Sequence, residues 1–227
     1  MHSILSKKEF IGKKDLNIIE RSYRGLSEAE EYLALTYGVP KLHPLKLANI
    51  VTTIDFNDDF LSHCTNGVNA IDNSGAIVFL NVILKNKWID FFEQRIVNAH
   101  PAVLPYARGM FAIEQFLVSN NQCQFEQAAG ATIHYIDMGI DTGAIIETAQ
   151  LEKIWDLESI WAVKGESYLL AFELMKCYLT REKTFTLTDC YRADKTVPSP
   201  LYFRRNFSPE IKKTSETKFI TLKGNNT

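Results

Sequence analysis

No C-x-x-C pair occurs in this chain. Its four cysteines, Cys64, Cys123, Cys177 and Cys190, are widely scattered, so neither a thiolate metal site nor a disulfide framework is supported, and a reducing cytoplasm is the expected compartment. No segment approaches the ~20 continuous apolar residues of a membrane span. Residues 1–8 reach Lys7 and Lys8 without the apolar run of a signal peptide, which again points to a soluble, cytoplasmic protein with no membrane partner. Charge of one sign is lacking too. Lys and Arg number 25 against 27 Asp and Glu, for a net charge of -2, so no basic field exists to meet phosphates, and nucleic acid is not an expected partner. Repeats and low-complexity stretches are absent. What remains is a 227-residue chain, 46% hydrophobic and 23% charged, ordinary for a globular domain with a core of its own.

Residues 1–25 are polar and mixed, with Lys13, Lys14 and Asp15 interrupting any apolar period. Ser27 and Glu30 then match a capping box, and a helix of about ten residues should end near Gly38 and Pro40. Short β-rich runs follow at 48–54, 76–80 and 95–98, separated by helical character around 88–94. Apolar runs of that length, alternating with helices, predict an α/β fold with an open, mostly parallel sheet. Ligands bind such sheets beyond the carboxyl ends of the strands, which directs attention to the residues after Leu80 and Val97. Further on, the pattern predicts a helix over 110–118, a polar loop near Asn120 and Asn121, a strand over 131–136 and a hairpin-like return over 143–151. A helix capped by Asp156 should follow, with Ile160, Trp161, Tyr168, Phe172, Met175 and Leu179 as its packing stripe. From Arg204 onward a basic pair and a polar, mobile tail are expected.

Two segments carry residues able to do chemistry. In Asn98-Ala99-His100-Pro101, the amide and the imidazole are two apart, so an extended chain projects both to one side, and Pro101 marks where the chain leaves the sheet. An amide donor can meet a developing oxyanion, and an imidazole can carry a proton. By themselves the two also fit a hydrogen-bonded strand end. In the second segment, residues 130–146, Thr132 and His134 share a strand face, and a turn places carboxylates at Asp137 and Asp141. Taken alone, Asp141 fits a turn former as well as a catalytic acid, and His134 fits a satisfied strand histidine.

Together, Asn98-x-His100-Pro101-x-x-Leu104-Pro105 with Arg108-Gly109, then Gly130-x-Thr132-x-His134 and Gly139-x-Asp141-x-Gly143-x-Ile145-Ile146, resemble the folate-dependent formyltransferases. These include glycinamide ribonucleotide, methionyl-tRNA and sugar-amine enzymes. The resemblance runs from about residue 33 to 146. It implies a Rossmann-like formyltransferase domain at 26–185, between an amino-terminal segment 1–25 and a carboxyl-terminal extension 186–227. It implies 10-formyltetrahydrofolate as co-substrate, no metal, and Asn98, His100 and Asp141 as the catalytic trio. Asn81, Val82, Ile83 and Leu84, with Asp137, Met138, Gly139 and Ile140 opposite, would receive the folate. His134 would support the trio, and Arg108 would approach the acceptor or a neighbouring carboxylate. Residues 1–25 show no clean apolar strand, so the family's first strand unit is expected to be lacking. The texture of residues 98–109 is closest to members that formylate hydroxyornithine for siderophores, then sugar amines. The acceptor is thus expected to be a small amine or hydroxylamine. A formyltetrahydrofolate hydrolase and a catalytically reduced folate-binding protein are the alternatives.

Overall fold

The computed structural model describes residues 2–5, 26–38, 49–52, 61, 75–80, 82–93, 95–180, 191–193 and 197–225. The chain forms two compact units, Met1–Asp72 and Asn73–Thr227. In the first, strand β1 (His2–Leu5) pairs in parallel with β2 (Asn49–Thr52). A first strand is therefore present. Four residues are too short to show a period, and pairing with β2 supplies what the local pattern does not. Helix α1 (Glu28–Tyr37) starts at the expected capping box: the Ser27 N–H donates to Glu30 Oε2 at 2.8 Å while Ser27 Oγ accepts from the Glu30 N–H at 3.5 Å.

The second unit holds β3 (Ala76–Val78), α2 (Asn86–Phe91), β4 (Ile96–His100), β5 (Arg108–Gly109), α3 (Ala112–Ser119), α4 (Gln122–Ala128), β6 (Gly130–Tyr135) and β7 (Ile145–Gln150). After these come α5 (Ile160–Thr180), β8 (Leu201–Tyr202) and α6 (Pro209–Gly224). Its four-stranded sheet runs in the order β3-β4-β6-β7, with β3 parallel to β4 and both later pairings antiparallel. This is a mixed α/β layer structure. Alternation along the strands places Val97, Ala99, Ile133, Tyr135 and Ile146 against Ala171, Leu174 and Met175 of α5. Each such side chain stabilises the layer by ~1.5–3 kcal/mol, Ala less. The opposite face is left for Asn98, His100, Thr132 and His134.

Three local expectations are corrected. Residues 119–129 are not only a loop: α4 occupies 122–128, with Asn121 and Gln124 forming a second capping box and Phe125 fully buried. The oxygen that caps α5 is not that of Asp156 but Ser159 Oγ, which accepts the Ala162 N–H at 3.0 Å. Residues after Arg204 are no loose tail, because α6 begins at a Ser208 cap followed by Pro209 and buries Phe219 in a cluster with Phe125, Ile113 and Leu117. The α5 stripe is also only partly core. Ile160, Trp161 and Met175 are buried, but Phe172 and Leu179 are exposed.

Candidate active site

Asn98 and His134 come together because of strand register. In the antiparallel pairing of β4 with β6, Asn98 lies opposite His134 and His100 opposite Thr132. Asn98 Nδ2 approaches His134 Nε2 at 3.2 Å, and His134 Nδ1 lies 2.8 Å from the Tyr135 carbonyl. A carbonyl only accepts, so Nδ1 carries a proton, and in the neutral ring Nε2 is free to accept from the amide. The amide's second hydrogen remains for an incoming oxygen. His100 follows the same logic: Nε2 donates to the Ala107 carbonyl at 2.8 Å, which turns Nδ1 toward Asp141 Oδ2 at 3.6 Å.

Thr132 braces the loop beyond His100. Its Oγ1 accepts from the Leu104 N–H and donates to the Ala102 carbonyl, both at 2.9 Å. This bracing explains the threonine between Gly130 and His134, whose role the sequence did not show.

Asp141 reaches the cluster from the turn between β6 and β7, with its carboxylate against both imidazoles. Oδ1 lies 3.5 Å from His134 Nε2, and Oδ2 accepts the Gly109 N–H at 2.8 Å. At 3.5–3.6 Å the imidazole contacts are ion-pair separations at or beyond the hydrogen-bond limit, so the short bond to Gly109 is what orients the carboxylate. Asp141 has φ 51, a left-handed conformation tolerated by aspartate better than by most residues. Such conformations are held by surrounding structure and concentrate at functional sites.

Burial acts to raise the Asp141 carboxyl. The charge of His100, then the bond and charge of His134 and the Gly109 N–H, outweigh it and hold the carboxyl well below the usual carboxylate range. A depressed carboxyl contributes stability that is complete above the unfolded carboxyl's range and is lost only as pH falls through the lower folded value. Titration of the Asp141 carboxyl carbon by NMR is therefore expected to show no step at the ordinary value of 3.8. A normal or raised midpoint would refute this electrostatic picture.

The other expected site residues divide. Asp137 is a turn former, its Oδ1 accepting from the Gly139 N–H at 3.0 Å and from Thr142 Oγ1 at 2.6 Å. Val82, Ile83 and Met138 are exposed apolar side chains, Ile83 at 74% and Met138 at 67%, whereas Leu84 is buried. Ile140 offers its carbonyl to Arg108. Asn81 lies outside the described residues. Among the described residues Arg108 makes no bond to a carboxylate: its guanidinium donates to the carbonyls of Ser199 and Ile140.

A buried carboxylate between two imidazoles, beside an amide on a strand of an α/β sheet, brings together groups of the kinds that move protons and meet oxyanions. Residues 72–159, which include Asn98, His100, Arg108, His134 and Asp141, match the family model described as formyl transferase. A curated relative, the trifunctional purine biosynthetic protein adenosine-3 of Chironomus tentans, is 28% identical over 131 residues, covering 53% of this chain and 9% of that protein. The phosphoribosylglycinamide formyltransferase of Bacillus subtilis (strain 168) is 38% identical over 58 residues, 26% of this chain and 27% of that protein. The chain thus spans well under a third of either relative.

Among solved structures, the formyltransferase PseJ from Anoxybacillus kamchatkensis, in complex with UDP-4,6-dideoxy-4-formamido-L-AltNAc and tetrahydrofolate, matches with TM-score 0.52 and 16% identity. That match covers 95% of this chain and 98% of that one. A sugar N-formyltransferase from Shewanella sp FDAARGOS_354 matches with TM-score 0.53 and 12% identity over 95% and 86% of the two chains. These likenesses establish a shared fold. No described helix is long and apolar enough to cross a membrane.

Proposed function

We propose that this chain transfers the formyl group of 10-formyltetrahydrofolate to the amine or hydroxylamine of a small molecule. The observation that carries the reading is the Asp141 carboxylate held between His100 and His134, with Asn98 alongside. The acceptor nitrogen attacks the formyl carbon, a tetrahedral oxyanion forms, the bond to the folate nitrogen breaks, and a proton passes from the incoming nitrogen to the departing one. Asn98 donates its uncommitted amide hydrogen to the oxyanion. His100, turned toward Ala107 and Asp141, contributes the positive charge of its protonated ring. Asp141 stays ionised to balance that charge and to take part in the proton's passage.

The donor also suits the chain's own side chains. Val82, Ile83 and Met138 offer exposed apolar surface for a flat ring. A sugar amine is favoured as acceptor by the near full-length fold match to PseJ, whose complex contains a formamido sugar nucleotide, and a hydroxyornithine-type siderophore precursor is the companion candidate.

Absorbance-monitored release of tetrahydrofolate, with and without amino-sugar nucleotides, hydroxyornithine and glycinamide ribonucleotide, tests the proposal. Release that requires one of these acceptors is the expected result. Release without acceptor would assign a hydrolase, and folate binding without turnover would assign a catalytically reduced binding protein.

A further inference from the structure

Each of the three side-chain nitrogens of Arg108 donates to a main-chain carbonyl near the site. Nε and Nη2 donate to the Ser199 carbonyl at 3.3 and 2.7 Å, and Nη1 donates to the Ile140 carbonyl at 3.2 Å. The next residue, Gly109, gives its N–H to the Asp141 carboxylate. Two consecutive residues thus grip two consecutive residues: the Arg108 fork holds the carbonyl before Asp141, and the Gly109 amide holds the carboxylate itself. The planar guanidinium suits this task, since its donors leave in fixed directions.

The gripping segment is itself held by β8. Arg108 pairs with Leu201 and Gly109 with Tyr202, the Arg108 N–H donates to the Pro200 carbonyl at 3.1 Å, and the Met110 N–H donates to the Tyr202 carbonyl at 2.9 Å. Gly109 has φ 92, and a Cβ there would lie 2.0 Å from the Tyr202 oxygen, so only glycine permits this approach. Residues 199–202 lie outside the segment that matches the family model.

We propose that Arg108 is a positioning residue which, anchored on the Ser199 carbonyl, holds the Ile140–Asp141 turn so that the carboxylate meets both imidazoles. The carboxyl-terminal strand β8 is thereby part of the catalytic apparatus. For turnover this rests on the formyl-transfer reading. Arg108 acts through backbone geometry, while the titratable groups that face Asp141 are His100 from β4 and His134 from β6.

The test compares Arg108→Gln and Arg108→Lys in the full chain by kinetics, melting temperature and NMR titration of the Asp141 carboxyl. A misplacement near 1 Å costs on the order of 100-fold in rate, so the Gln variant is expected to lose ~10- to 100-fold in kcat with KM for formyl-folate changed less than about threefold. The Lys variant, able to reach one of the two carbonyls, should recover part of that loss. In the Gln variant the Asp141 titration should move up toward the ordinary carboxyl value, with the melting temperature nearly unchanged. An unmoved Asp141 titration overturns the proposal, as does a kcat loss that tracks a fall in melting temperature equally in both variants. The titration needs no turnover, so a parent protein that releases no tetrahydrofolate refutes formyl transfer and still leaves Arg108 to be decided by NMR.

Discussion

Replacement of His100 by Ala, or of Asp141 by Asn, is expected to lower formyl transfer by ~10²–10⁴-fold, the range of a positioned acid–base group, while formyl-folate binding changes little. The two differ in cause. Loss of His100 removes the imidazole that faces Asp141 Oδ2 and leaves a carboxylate in a site where its burial is otherwise unfavourable. Asp141→Asn keeps the shape and removes the charge. Its amide can still accept the Gly109 N–H, so the turn should stay folded and the loss should fall on kcat. Combined, the changes should cost about as much as the worse single one, because residues acting as a unit are non-additive. Steady-state kinetics with a separate folate-binding titration checks this. Turnover near that of the parent in both variants would remove the cluster from the chemistry.

Gly143→Ala is expected to be the most damaging change that touches no polar side chain. A Cβ there would sit 1.7 Å from the Tyr135 carbonyl oxygen, a backbone atom that cannot swing aside. That oxygen also accepts from His134 Nδ1 and so fixes which ring nitrogen faces Asn98 and Asp141. The substitution must open the turn or displace the carbonyl, and either disturbs Asp141 and His134 together. Overpacking of this kind costs ~1–3 kcal/mol, and backbone on backbone belongs at the upper end, so urea unfolding should shift by ~3 kcal/mol with turnover lost. Gly224→Ala is the internal control. Nothing lies within 4 Å of a Cβ at that helix end, and the change should leave the unfolding midpoint within ~0.5 kcal/mol of the parent. Equal behaviour of the two would mean that the turn is not closed against β6.

The residues of the cluster were more legible in the sequence than the architecture that gathers them. Asn98 and His100 stood out because a two-residue spacing on a strand is a local property, and the α1 capping box for the same reason. That His134 faces Asn98 depends on a register between segments 36 residues apart, which no local pattern encodes. Arg108 is a sharper case. It was expected to approach the acceptor or a neighbouring carboxylate, and its fork closes on carbonyls, one of them 91 residues away. Helix α4 was within reach, because Asn121 and Gln124 have capping-box spacing and Phe125 and Ala128 supply the buried face. Polar Asn120 and Asn121 drew attention to a loop instead. Helix α6 was obscured by its many polar residues, since Ser215 and Phe219 alone are buried on it.

The pairing of β8 with β5 has a consequence for the order of events during synthesis. Residues 95–150 can complete the β4-β6-β7 sheet from contacts within that stretch as soon as it leaves the ribosome. The partner that fixes Arg108 and Gly109 is still unmade at that point, and closing so long a loop comes late. A growing chain would carry Asn98, His100, His134 and Asp141 before β8 could pair with Arg108 and Gly109, so the final setting of the segment that touches Asp141 would wait on residues 199–202.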